Sequence, residues 1–185
     1  MNFNRHLELR DRHAFLSPSN YHWVNYNDQK LAARYRTVRA AQRGTDIHNM
    51  AHEAIRLGVR LARNNRSLAR YVNDAIGYKM ECEQPLFYSD NCFGHADTIS
   101  FRRQKLRIHD LKTGLSHTSE KQLEVYAAIF CLEYAIDPYS IEIELRIYQG
   151  DEVRVFIPFA ETIVDIMEKI VIFDQQIEAI KASEY

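Results

Sequence analysis

Residues 79–114 constrain the fold more than any other stretch of this chain. KMECEQPLFY (79–88), FGHADTISF (93–101) and KLRIHDLKTG (105–114) read as three strands, parted only by the short polar links SDN and RRQ. Strand-like runs joined by links this short form hairpins, so the chain has to fold here as a three-stranded antiparallel meander. Helical patterns surround it. LSPSNYHWVNY (16–26) opens on Ser17 and Pro18, a helix-start pair, and DQKLAARYRTVRAAQ (28–42) is rich in alanine and arginine. GTDIHNMAHEAIRLGVRLARN (44–64) predicts the strongest helix, capped by Thr45 or Asp46, with a shorter one over 67–76. After the meander, residues 117–136 return to a helical period that Asp137-Pro138 ends, 140–149 and 153–159 alternate as strands, and 161–182 form a closing amphipathic helix.

That order predicts an α/β (α+β) fold. No repeat, low-complexity run or Pro/Ser-rich linker interrupts the 185 residues, so one domain is expected, a helical segment over 1–43 leading into a core over 44–185. No run of about 18 apolar residues would span a membrane. The start MNFNRHLELRDRH is charged and does not read as a signal peptide. Three cysteines without a CxxC pair suit a reducing cytoplasm and argue against a disulfide framework or a cysteine-held metal. Charge is uneven: residues 1–70 hold 13 Lys and Arg against 5 Asp and Glu, and the rest of the chain is acidic. A basic N-terminal third is a surface for a polyanion.

Candidate chemistry starts at Asp110 and Lys112. Residues two apart on a strand share a face, so carboxylate and ammonium stand side by side where KLRIHDLKTG stops. An ion pair at a strand end is the plain reading; a metal ligand beside a catalytic lysine is the sharper one. Asp97, early in the preceding strand, falls at the same end of the sheet. Two carboxylates there repel unless a proton or cation intervenes, and hard oxygen donors suit Mg²⁺ or Mn²⁺. On a helical projection His52 lies about 40° from His48 and Arg56 about 80°. Arg60 and Arg63 fall on the same side, so His48 sits between the apolar face and a basic stripe. His48 and His52 could clasp zinc, but HNMAHE lacks the glutamate placement of a zinc-protease helix. Gln122 and Tyr126 stand one helical turn apart. Glu83 on the first strand could face the same end as Asp97. Arg43, Arg56, Arg60, Arg63 and Arg66 belong to an arginine series that would track phosphates.

Taken in order, GTDIH, GHAD, DLKTG and QLEVY over residues 44–126 resemble the RecB-like branch of the PD-(D/E)XK nuclease superfamily. The resemblance implies a restriction-endonuclease-like αβββαβ core, a central mixed sheet flanked by helices, and metal-dependent hydrolysis of DNA phosphodiesters. It implies that His48, Asp97, Asp110 and the backbone carbonyl of Leu111 hold Mg²⁺ or Mn²⁺. Lys112 would be the catalytic lysine, and Gln122 and Tyr126 would shape the site; Glu83 matches a less regular acidic position of some relatives. Asp110 stands where many superfamily members carry glutamate. Three unmatched cysteines cannot supply the four-cysteine iron–sulfur cluster of some relatives, and no GxxxxGK[ST] supplies ATP binding.

The chain thus resembles stand-alone phage or prophage exonucleases. The expectations are single- or double-stranded DNA as substrate, homo-oligomerisation, a recombination partner protein, no membrane, and the cytoplasm of a bacterium or phage-infected host. A structure-specific or restriction-like endonuclease is the alternative enzyme, and a DNA-binding subunit without turnover is the alternative of another class. Phosphate contacts say little about the sugar, so RNA stands beside DNA as a substrate.

Overall fold

The computed structural model describes residues 14–64, 66–114 and 118–183, apart from the side chain of Asn20. The charged start of the chain and the first residue of the expected 117–136 helix lie outside the described residues. Contacts divide the chain into two units, Met1–Thr45 and Asp46–Tyr185.

In the first unit Ser17 precedes a 3₁₀ helix, Pro18–Asn25, with proline at its first turn as the sequence suggested. Trp23 Nε1 donates to Ser17 O at 3.0 Å, and Phe15 meets the Tyr35 ring edge-on at 5.3 Å. The next helix, α1, runs Asp28–Arg56 and continues into the second unit. Asn27 caps it, its Oδ1 accepting from Lys30 N at 2.9 Å.

Two sequence expectations change along α1. Thr45 and Asp46 do not start a new helix: Gly44 lies buried inside a continuous one, and Thr45 Oγ1 donates back to Ala41 O. The helix also stops at Arg56 rather than running to residue 64. The stop is a glycine cap. Gly58 has φ +67°, its N–H reaches Ile55 O at 3.0 Å, and Val59 N reaches Ala54 O at 2.8 Å. That pair of bonds is a Schellman motif. Arg60 and Arg63 therefore lie on irregular chain and not on a helical stripe with Arg56. Asn73 holds this segment, its side chain bonding both Leu61 N and Leu61 O.

The second unit goes on with α2 (Ser67–Tyr78), β1 (Glu81–Ser89), β2 (Cys92–Arg102), β3 (Lys105–Lys112), α3 (Lys121–Glu133), β4 (Glu142–Gln149), β5 (Glu152–Phe156) and α4 (Ala160–Ser183). The fold is α+β, with one five-stranded mixed sheet and four α-helices among the described residues. Strand order is β1-β2-β3-β4-β5, antiparallel except for β3 beside β4. A parallel pair needs a crossover, and α3 provides it. Among the described residues no helix is long and apolar enough to cross a membrane.

Each face of the sheet has its own core. Leu106 and Ile108 of β3 pack with Leu123, Ala127 and Phe130 of α3 and Ile163 of α4. Leu111 and Tyr148 pack on the other side with Ala51 and Ile55 of α1 and Tyr71 and Val72 of α2. Strand alternation puts Asp110 and Lys112 on the α3 side of β3, and His109 and Leu111 on the α2 side.

Candidate active site

The C-terminal end of β3 gathers most of the residues the sequence singled out. Asp110 is 3% exposed, and its Oδ1 lies 3.0 Å from Lys112 Nζ. Lys112 Nζ also donates to Gln122 Oε1 at 3.1 Å, and Gln122 Nε2 donates to Tyr126 OH at 3.4 Å. One turn of α3 thereby positions an amide and a phenol in series behind the ammonium. Gly94 makes room for the last member. A Cβ there would come within 2.9 Å of Tyr126 Cε1, so the glycine of GHAD is explained by a ring lying against the strand.

Asp97 arrives from the neighbouring strand. It sits just beyond the last rung of the β2–β3 ladder, Thr98↔His109, close enough to Asp110 for the two carboxylates to repel. Its Oδ2 accepts from Leu111 N at 3.2 Å and lies 3.5 Å from His48 Nδ1. The helix of GTDIH, the strand of GHAD and the strand of DLKTG thus meet at one carboxylate. The donation from Leu111 N is a contact that residue types alone did not reveal.

Electrostatically the site is strained around Asp110. Burial, then the Asp97 carboxylate, push its carboxyl above the ordinary range, while Lys112 and His48 pull it back. The Lys112 ammonium takes Oδ1, but Oδ2 is buried with no hydrogen-bond partner among the described residues. A bare buried carboxylate oxygen is costly unless a proton or cation meets it.

Glu83 goes elsewhere. The β1–β2 register sets it opposite Asp97, but it drops out of the ladder between Cys82↔Thr98 and Gln84↔Ala96. With φ +49°, its carboxylate lies 3.0 Å from His52 Nδ1. His52 is therefore occupied by Glu83, and its ring stands 6.0 Å from that of His48, centre to centre. A non-glycine residue at positive φ is strained, and such strain collects near functional sites. The arginines do not share one helical face. Arg56 pairs with Glu53 on its own helix, Arg60 donates to Asn73 O at 3.4 Å, and Arg63 and Arg66 are exposed. Arg43 is exposed on α1 in the first unit.

Among the described residues no group of three or more His, Cys, Asp or Glu is placed so that it could hold a metal ion as it stands. In kind, however, the unpartnered Asp110 Oδ2 and the Asp97 carboxylate are hard oxygen donors that suit Mg²⁺ or Mn²⁺, with the His48 ring a borderline nitrogen donor beside them. Comparison with protein-family models, with curated proteins and with solved structures finds no match.

Proposed function

We propose that this chain is a divalent-metal-dependent nuclease that hydrolyses DNA phosphodiesters, in the manner of the RecB-like branch it resembles. The observation that carries the reading is Asp110: a buried carboxylate with one oxygen unpartnered, flanked by a lysine on its own strand and a second aspartate on the next. A structural ion pair would not need a second carboxylate, Asp97, close enough to repel Asp110.

His48, Asp97 and Asp110 would hold Mg²⁺ or Mn²⁺, with the Leu111 carbonyl beside them. Bound there, the metal would polarise a phosphoryl oxygen and lower the pKa of an attacking water. The chain's own residues have separable tasks. Gln122, fixed by Tyr126, keeps the Lys112 ammonium beside Asp110. Held there, the ammonium stabilises charge that develops on the phosphorane. Leu111 N–H and His48 hold Asp97 Oδ2 in position. Exposed Arg43, Arg63 and Arg66 supply phosphate contacts that carry no sequence information. End-dependent cleavage, an exonuclease in DNA recombination or phage DNA processing, is the proposed mode.

The test incubates the purified chain with linear and covalently closed DNA, single- and double-stranded, under Mg²⁺, Mn²⁺ and EDTA. Metal-dependent loss of linear DNA that Lys112→Ala abolishes is the expected result. Equal loss of circles would replace the exonuclease by an endonuclease. No metal-dependent loss of any substrate would overturn the nuclease reading and favour a binding subunit.

A further inference from the structure

A second concentration of charge lies at the opposite end of the sheet, around the β2–β3 turn. Five residue steps along β3 separate Lys105 from Asp110, roughly 17 Å at the usual rise per residue. An open pocket of about 680 Å³ there is lined by Lys79, Arg102, Arg103, Lys105 and Arg107, with Glu142 the single acid among its lining residues.

Ordinary structural pairing accounts for only part of this cluster. Lys105 Nζ lies 3.3 Å from Glu142 Oε2 and 3.0 Å from Glu144 Oε2, and Arg107 Nε lies 3.3 Å from Glu144 Oε1. These two inner cations absorb both nearby acids. Lys79, Arg102 and Arg103 are exposed, and their side chains form no hydrogen bond or ion pair among the described residues. The pocket keeps an excess of positive charge.

The backbone gives an independent reason to look here. Arg102 pairs with Lys105, so Arg103 and Gln104 form a two-residue turn, with φ +53° and +60°. Turns with positive φ at both central residues normally take Asn, Asp or Gly. Lys79 follows α2 at φ +55°, a place where glycine is usual. Long cationic side chains thus occupy two positions whose backbone favours glycine, and strain of this kind marks functional sites. The C-terminal carbonyls of α2 would oppose an anion. Those of Ala75 and Ile76 are taken by Met80 N and Lys79 N.

The chemistry of the pocket selects phosphate rather than base. Tyr78 is its aromatic residue, and that ring is already covered by the guanidinium groups of Arg107 at 4.4 Å and Arg146 at 5.1 Å. We infer that the pocket formed by α2's end and the β2–β3 turn binds adjacent phosphate groups through Lys79, Arg102 and Arg103, with Lys105 and Arg107 behind them. The phosphates come either from a nucleic-acid backbone or from a free polyphosphate chain. The inference needs no catalysis, so it stands or falls apart from the nuclease reading.

The experiment uses the full chain in EDTA, with inorganic tripolyphosphate followed by calorimetry and a labelled 12-nucleotide single strand followed by anisotropy. The variant combines Lys79→Gly, Arg103→Gly and Arg102→Gln. Glycine at positive φ removes strain, so its melting temperature should equal or exceed that of the parent. Tripolyphosphate affinity should fall at least tenfold. If the backbone is the source, oligonucleotide affinity falls too, and the log–log salt slope shrinks by about 2, at ~0.7 per phosphate contact. If free polyphosphate is the source, oligonucleotide binding stays unchanged while tripolyphosphate binding is lost. A parent that does not bind tripolyphosphate, or a variant that binds it equally well, overturns the inference. So does an equal loss in a control lacking the exposed Arg34, Arg36 and Arg39 of α1.

Discussion

Replacing Asp110 by asparagine should make the protein more stable while abolishing its proposed activity. Asp110 Oδ2 is buried and unpartnered, a deficit of about 1–3 kcal/mol for a polar group of this kind. Asparagine turns one oxygen into a donor that can face Asp97 and leaves the other to accept from Lys112. The loss is the charged part of the Asp110–Lys112 bond, about 1 kcal/mol. It stays small because Lys112 is partly exposed and keeps Gln122 as a partner. The balance is a gain of about 1 kcal/mol, or roughly 3 °C in melting temperature for a chain of this size. Its pH dependence has a definite sign. The folded carboxyl titrates above its unfolded value, so the ionised form destabilises the parent at neutral pH. Below the unfolded pKa both states are protonated and that cost is gone. The advantage of Asp110→Asn should therefore be present at pH 7.5 and shrink as pH falls toward 4. Thermal melts in EDTA across that range, beside a nuclease assay in Mg²⁺, test both halves. A variant that melts lower at pH 7.5, or a gap that widens on acidification, would show that the Lys112 pair outweighs the buried repulsion.

His48→Ala should raise the metal concentration for half-maximal cleavage with little change in melting temperature; an unchanged metal titration with a lower melting temperature would make His48 a packing residue. Gly94→Ala drives a methyl to 2.9 Å from Tyr126 Cε1 and should cost about 1–2 kcal/mol in urea unfolding. Adding Tyr126→Leu should recover most of that loss, and additive costs in the double variant would refute the contact. Tyr148→Phe removes the hydroxyl shared by Asp74 at 2.8 Å and the buried His109 Nδ1 at 3.2 Å, so about 1–3 kcal/mol should be lost. An unchanged unfolding midpoint would show that the imidazole does not depend on that hydroxyl.

Strands were the most legible part of the sequence because their signals are local. Alternation and short polar links placed β1, β2 and β3, and the structure pairs them as an antiparallel meander. Helix ends were harder. Gly44 looked like a break but costs only about 1 kcal/mol relative to alanine inside a helix, which a 29-residue element absorbs. Gly58 looked like an interior residue because leucine and arginines beyond it keep a helical spacing. What ends the helix is a backbone conformation, φ +67° with two capping bonds, and periodicity carries no trace of it. The basic stripe of Arg56, Arg60 and Arg63 failed for the same reason, since it assumed a helix that had already stopped.

The candidate site was legible where spacing along one element decided proximity, and illegible where the backbone turned a residue away. Asp110 beside Lys112 follows from period two, and Gln122 beside Tyr126 from one helical turn; both meet in the structure. Glu83 has the right register opposite Asp97, yet a positive φ sends its carboxylate to His52. Strand β3 shows why the readable part brought these residues together. Its even residues run from Leu106 and Ile108 in the α3 core to Asp110 and Lys112 at the sheet end. Its odd residues place Arg107 and His109 against Tyr78 of α2 and Leu111 in the second core. A register slip of one residue would exchange those faces, burying Lys112 and Arg107 where leucines pack and exposing the leucines. The same alternation that fixes the core therefore fixes Asp110 beside Lys112, which Gln122 of α3 holds, and near Asp97, which His48 of α1 meets.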